Sequence, residues 1–408
     1  MRASRVIHGS SEEQDDACLR WFGSSFSRGR RLGGLGLGRD LHVATGLNLC
    51  PLAHAGRGAA TDVVDGFRLD RGFQLINANY PELRKLNVIN EIEFVEAPRA
   101  ISISIEGKES FLGDPRKHLT SALDAQTGSI RQKLGLLGYL ARSPKSGESV
   151  ATQLLPLGRT YDRVLRPFLT GVFLTDPSDV EGSVGKEIIT SFVTGRPGLP
   201  AGGAGDLAAA LAKRVKKLQL NTRIEAVKDG YLKTNKRSSK IEFDALIIAT
   251  DMTTAAQLLD IESVPPQVGC TTWYHVPNYS PSEHPYLLLD GMQAGPVVNS
   301  LVISNMVPSY APTGRHLVST TTIQRASESE VRRHLAAMWG TSTQKWELIA
   351  KYEIPAALPL ARVGNRLANN VRISKNIFVA GDWRESPSQN GALKSGRRAA
   401  ETLIGQRF

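Results

Sequence analysis

Residues 376–404 constrain the fold more than any other stretch; they read NIFVAGDWRESPSQNGALKSGRRAAETLI. Ile377 to Ala380 are consecutive apolar residues, the pattern of a short buried strand. Gly381 and Asp382 stand at its end, and a loop leads to Ser388-Gln389-Asn390-Gly391-Ala392. Leu393, Ala399, Ala400, Leu403 and Ile404 then recur at helical spacing. A helix that opens behind glycine and small residues presents unpaired N–H groups and the positive end of its dipole. Such an end suits an anion or an electron-rich ring edge. The Asp382 carboxylate can accept hydrogen bonds from a polyol or a phosphate-linked sugar. The same pattern also fits an ordinary strand–loop–helix closing an α/β sheet.

The run VAGDWRESPSQNGALKSGRRAAE resembles the closing FAD motif of the flavin amine oxidase superfamily, the group of monoamine oxidases, protoporphyrinogen oxidases and phytoene desaturase-like enzymes. The resemblance runs from about Gly56 to the C-terminus. It implies that Asp382, after Gly381, holds the ribityl or phosphate region of FAD, and that Asn390, Gly391 and Ala392 open the helix aimed at the flavin ring. GRGAATDVVDGFRLDRGFQL is similar to the family's glycine–arginine turn and following strand pair. Arg57 and Gly58 are thereby assigned to the pyrophosphate, and Gly72, Phe73 and Gln74 to the cofactor. Glycines let backbone approach a ligand closely, and an arginine neutralises phosphate. Read without the resemblance, the same segment is a hairpin turned by Gly66. PAGGAGDL, a helix and the strand LNTRIEAV complete the similarity, with Ile224 placed beside the adenine.

The chain's 408 residues suffice for two joined domains, and 41% hydrophobic with 22% charged residues is ordinary for a globular protein. The resemblance implies a two-domain α/β fold of the FAD-dependent amine oxidase type. A discontinuous Rossmann-type FAD domain is expected from 33–80, 195–255 and 370–408. A mixed β-sheet and helical substrate domain is expected from 85–195 and 256–360. The net charge of +11 suits nucleic acid, an anionic membrane surface or an acidic ligand. The basic residues are scattered, with small clusters at 28–31, 213–217 and 397–398, and form no nucleic-acid recognition module. No apolar run has the length of a membrane span, which leaves peripheral membrane contact. Three widely spaced cysteines argue against a disulfide framework, and neither they nor the eight histidines show metal-ligand spacing. Without an apolar run near the N-terminus, a cytoplasmic location is expected.

Along the chain, ISISI at 101–105 reads as strand, and 115–200 as largely helical. Arg163 and Arg166, one turn apart, face either an anionic substrate or solvent. Asp206 is expected to cap a helix over 207–215, and FDALIIATD to form a second buried strand. CTTWYHV, YLLLDG, VVNSLVIS and HLVSTTTI predict a mixed sheet covered by a helix from Glu328 to Met338. Trp273, Tyr274, His275 and Tyr352 are either cavity residues or core.

The first 55 residues depart from the family pattern. Gly33, Gly34, Gly36 and Gly38 look like a dinucleotide loop, but polar, basic SSFSRGRRL precedes them where a strand is required. No carboxylate lies between Asp40 and Asp62 to hold a ribose. The pattern switches on abruptly at Gly56–Asp62, and arginine, glycine and serine crowd 24–39, as in a gene read out of frame. Residues 1–32 are thus expected to be unstructured or aberrant, and the pyrophosphate site weak. The chemistry implied is hydride transfer from a C–N or C–C bond of a small molecule to non-covalent FAD, with no catalytic base named. The rival is a chain on the same fold that has lost its cofactor.

Overall fold

The computed structural model describes residues 60–113, 124–215, 222–235, 240–365 and 368–405. They divide into two compact units, 60–206 with 266–365, and 207–265 with 368–405.

The first unit is built on a seven-stranded mixed sheet. Its order runs Glu347–Pro359, Gln267–Val276, Val318–Thr322, Val297–Val302, Leu287–Asp290, Ala100–Ile105, Lys108–Gly113. Only Leu287–Asp290 and Ala100–Ile105 pair in parallel. The expected helix lies at Glu328–Trp339, started by a capping box of Ser327 and Glu330. Its Val331, Leu335 and Met338 pack on Trp273, Leu288, Val297 and Val318 of the sheet. A second cluster joins the helices Val150–Leu154, Arg166–Phe173 and Gly182–Thr194 through Leu154, Leu165, Leu169, Val184 and Ile188.

The strands Thr61–Val64 and Phe67–Asp70 form a hairpin. Its turn is Asp65-Gly66, with φ of 50° and 82°, the left-handed pair that a two-residue turn requires. The hairpin is fastened by Asp70. One oxygen of this buried carboxylate accepts from Thr61 Oγ1 (2.6 Å) and the Ala204 amide (2.9 Å), the other from Tyr310 (2.7 Å). Tyr274 donates to the Asp70 carbonyl at 2.8 Å. These bonds explain why 60–80 and 195–206, expected with the nucleotide domain, fall in the unit of the large sheet. Asp206 lies inside the helix Gly205–Lys213, and its carboxylate accepts from the Gly202 amide (3.1 Å) in the turn before it.

The second unit holds the antiparallel strands Ile224–Lys228, Tyr231–Thr234 and Lys240–Glu242, and a parallel pair, Leu246–Ile248 beside Ile377–Val379. Side chains of the pair alternate between two buried faces, as parallel strands require. Leu246, Ile248 and Val379 pack with Ile224, Met252 and Trp383. Ala245, Ile247, Phe378 and Ala380 pack with Ala399 and Leu403 of the closing helix Gln389–Gly405.

Candidate functional site

The parallel pair ends at Ile248 and Val379, and each strand leads into an aspartate, Asp251 and Asp382. The carboxyl ends of parallel strands are where α/β sheets bind ligands. Asp251 is committed to the fold, since one oxygen accepts from the Thr254 amide (2.9 Å) and caps the helix Met252–Leu259. Asp382 differs. Its Oδ1 accepts from the Trp383 amide at 2.9 Å, whereas Oδ2 is shielded from solvent and has no hydrogen-bond partner among the described residues. Loss of solvation pushes this carboxyl up to about 7, with a further rise from Asp251; the amide bond opposes both.

The loop around Asp382 is held rigidly. The Gly381 amide donates to Ser395 Oγ (2.8 Å), which in turn donates to the Ala392 carbonyl (2.7 Å). Buried Glu385 accepts from Lys394 (2.9 Å) and from Arg398, so two cations of the closing helix fix the loop. Ser388 Oγ accepts from the Gly391 amide (3.0 Å), and the Ser388 carbonyl accepts from Ala392 (2.9 Å). A Cβ at position 391 would lie 2.0 Å from the Ser386 carbonyl oxygen. The loop itself therefore imposes glycine there, and Ser388 engages amides expected to face a ligand.

The first unit contains a cavity of about 370 Å3 between the helices and the sheet. Phe73, Leu136, Phe168, Phe192, Leu301 and Met306 are among its walls. Phe168 and Phe192 meet edge to face at 4.8 Å. Arg99 is the one charged residue among the described lining residues, and it donates to the Gly195 carbonyl at 3.1 Å.

Residues 56–404 match the family model described as flavin containing amine oxidoreductase. The chain belongs to that family. No curated protein matches it. Similar folds occur in an oxidoreductase from Methanosarcina mazei (13% identity, 84% of this chain and 90% of that one, TM-score 0.65). A candidate protoporphyrinogen oxidase from Exiguobacterium sp. 255-15 (15%, 89% and 98%, 0.66) is also similar. So is cyclohexylamine oxidase from Brevibacterium oxydans IH-35A (14%, 88% and 96%, 0.57). The family implies a flavin cofactor and oxidoreductase chemistry.

For a member of this flavin family, Asp382 Oδ2 is a feature that fits the cofactor: a buried acceptor without a hydrogen-bond donor among the described residues. Ile224, Gly381, Asp382, Asn390, Gly391 and Ala392 all lie in the second unit, and Ile224 shares a core cluster with Val379 and Trp383. Gly72, Phe73 and Gln74 lie in the first unit; Gly72 has φ 105°, and the Phe73 amide donates to Thr272 Oγ1 (3.3 Å). Arg57, Gly58 and the glycines at 33–38 lie outside the described residues. Of the two readings of Trp273, Tyr274, His275 and Tyr352, cavity or core, none of the four is among the described residues lining this cavity. Trp273 donates to Thr322 (3.1 Å) within the core, and His275 is buried, its pKa lowered to about 3 by loss of solvation. Tyr274 serves Asp70, and Tyr352 donates to Asp62 (2.7 Å). Arg163 and Arg166 do not await a substrate. Arg163 donates to Gln126 Oε1 (2.8 Å), and Arg166 to Asp176 Oδ2 (2.8 Å). Glu385 and the Phe168–Phe192 pair escape the sequence reading, because their partners lie beyond any single helical or strand repeat; Asp251 reads in the sequence only as a strand end, although the Thr254 amide it caps is three residues on.

Proposed function

We propose that this chain is an FAD-dependent oxidoreductase that holds its flavin non-covalently and oxidises a C–N or C–C bond of a small apolar organic molecule. The observation that carries it is the unpartnered Asp382 Oδ2 at the ends of parallel strands in a member of the flavin family. Bound flavin supplies a two-electron acceptor for a hydride equivalent. Asp382 would accept a hydrogen bond from a ribityl or ribose hydroxyl, which would also favour its ionised form. Gly381 and Ser395 fix the direction of that carboxylate. Ile224, Asn390, Gly391 and Ala392 would flank the cofactor, and the family resemblance assigns Gly72, Phe73 and Gln74 to it as well. Phe73 is also a cavity wall, which supports the cavity as the place of the substrate. Its apolar walls orient by shape, and no carboxylate among the described lining residues would receive a polyamine.

Titrating the purified full-length chain with FAD tests the proposal. The expected result is saturable binding, with Asp382→Ala weakening it by about 10- to 100-fold, the equivalent of one charge-assisted hydrogen bond. Anaerobic addition of apolar amines or polyenes should bleach the bound flavin, whereas polyamines should not. A chain that binds no FAD would overturn the proposal in favour of a fold without its cofactor.

A further inference from the structure

The helix Ile130–Ala141 has two unlike faces. Leu136 points into the wall of the apolar cavity, and Tyr139 and Leu140 pack on the helical core. On the opposite side Ile130, Leu134 and Leu137 are 55%, 59% and 59% exposed. Steps of four and then three residues align them as one stripe along the helix. The turn Leu155–Leu157 packs beside this helix at Gly135 and leaves Leu155 63% exposed. Single exposed apolar residues are common on protein surfaces, but an aligned row of branched aliphatics needs an occupant.

The charge around the stripe selects that occupant. From 125 to 147 the chain has no acidic residue, whereas Arg131, Lys133, Arg142 and Lys145 are all basic. On the helical wheel Arg131 and Arg142 flank the stripe on one side and Lys133 on the other. Arg131 and Arg142 are exposed and make no ion pair among the described residues. Lys133 donates to the Asp124 carbonyl (2.7 Å), and Lys145 stands 3.8 Å from Glu148. Aliphatics along the centre with basic side chains at the margins is the arrangement of a helix lying in a bilayer interface. The aliphatics enter the acyl boundary while long basic side chains reach the anionic headgroups.

We propose that the Ile130–Ala141 helix is a docking surface for an anionic lipid bilayer. The same helix then separates the membrane from the cavity, with Leu134 and Leu137 on the lipid side and Leu136 on the cavity side. The docking itself does not depend on the flavin reading.

Vesicle flotation of the full-length chain tests the inference, using phosphatidylcholine alone and phosphatidylcholine mixed with phosphatidylglycerol. The wild type is expected to float with the mixed vesicles, and raised salt should release much of it. L134E/L137E should lower the partition coefficient about tenfold or more, with an unchanged melting temperature because both positions are exposed. R131E/R142E should weaken binding to mixed vesicles while leaving the stripe intact, and gives a second readout if the first variant fails to fold. A wild type that never floats overturns the proposal, as does binding that neither variant reduces. So does a self-associating wild type that L134E/L137E makes monomeric without any vesicle binding, since a second copy would then be the occupant.

Discussion

A single carboxylate, Asp382, carries the main tension in the second unit. Its raised pKa means that the folded chain without ligand keeps a proton that the unfolded chain loses near pH 4. Between that value and about 7 the folded state binds more protons than the unfolded one. Stability contributed by this residue is therefore present at low pH, falls as pH rises, and levels off above about 7. The slope reaches at most about 1.4 kcal/mol per pH unit. Urea unfolding of the flavin-free chain at several pH values should show this fall, and Asp382→Asn should flatten its share. Identical slopes for both proteins would show that the buried oxygen is already satisfied. Its place at a strand end was legible in the sequence, since Gly381 and Asp382 directly follow the apolar run 377–380. The Asp70 network was not. Thr61, Ala204 and Tyr310 reach Asp70 from 9, 134 and 240 residues away, and no local pattern encodes such meetings.

Secondary-structure elements were legible where one face is buried, and less so where the backbone departs from its ideal period. The sheet strands between 268 and 323 and the helix at 328–339 follow their apolar spacing. The Glu347–Pro359 strand was obscured by Pro355, which belongs at an edge, and this strand is the edge of its sheet. It also carries a bulge opposite Gly269, where a Cβ would strike the Ile354 carbonyl at 2.6 Å. Before Pro167 the turn Tyr161–Leu165 widens into a π-helix, which accommodates a residue without an N–H. The Ile130–Ala141 helix has no fully buried residue, so its ends matter more than its packing. Ser129 and Gln132 form a capping box at the start. At the other end the buried Lys186 ammonium donates to the carbonyls of Tyr139 (2.6 Å), Leu140 (3.0 Å) and Arg142. Lys186→Met should leave those acceptors without their charged donor and cost about 1.5–3 kcal/mol, read as a lower denaturation midpoint. An unchanged midpoint would mean that water replaces the ammonium at no cost.

At the scale of the whole molecule, the family match begins at residue 56, where the sequence pattern also begins. A Rossmann-type site holds pyrophosphate by a strand, a glycine turn and a helix amino end, and the ribose by a later carboxylate. Residues 33–38 supply glycines, but SSFSRGRRL precedes them and no acidic residue lies between Asp40 and Asp62. The second unit still offers Asp382 at its strand ends. The balance predicts a chain that binds FAD reversibly and loses it during gel filtration, because the sequence before Gly56 lacks the pattern of a regular pyrophosphate site whereas Asp382 is present. A chimera tests this. Residues 1–55 would be replaced by a strand, a G-x-G-x-x-G turn, a helix and a ribose-binding carboxylate, leaving 56–408 untouched. Adding several hydrogen bonds to a charged pyrophosphate should tighten FAD binding by at least about tenfold, since even one such bond is worth about 1.5 kcal/mol or more. The gain should be lost at high salt more readily than the contribution of Asp382, because phosphate contacts are screened where they meet solvent. Equal affinity of chimera and parent would show that residues 1–55 already hold the pyrophosphate by a different arrangement.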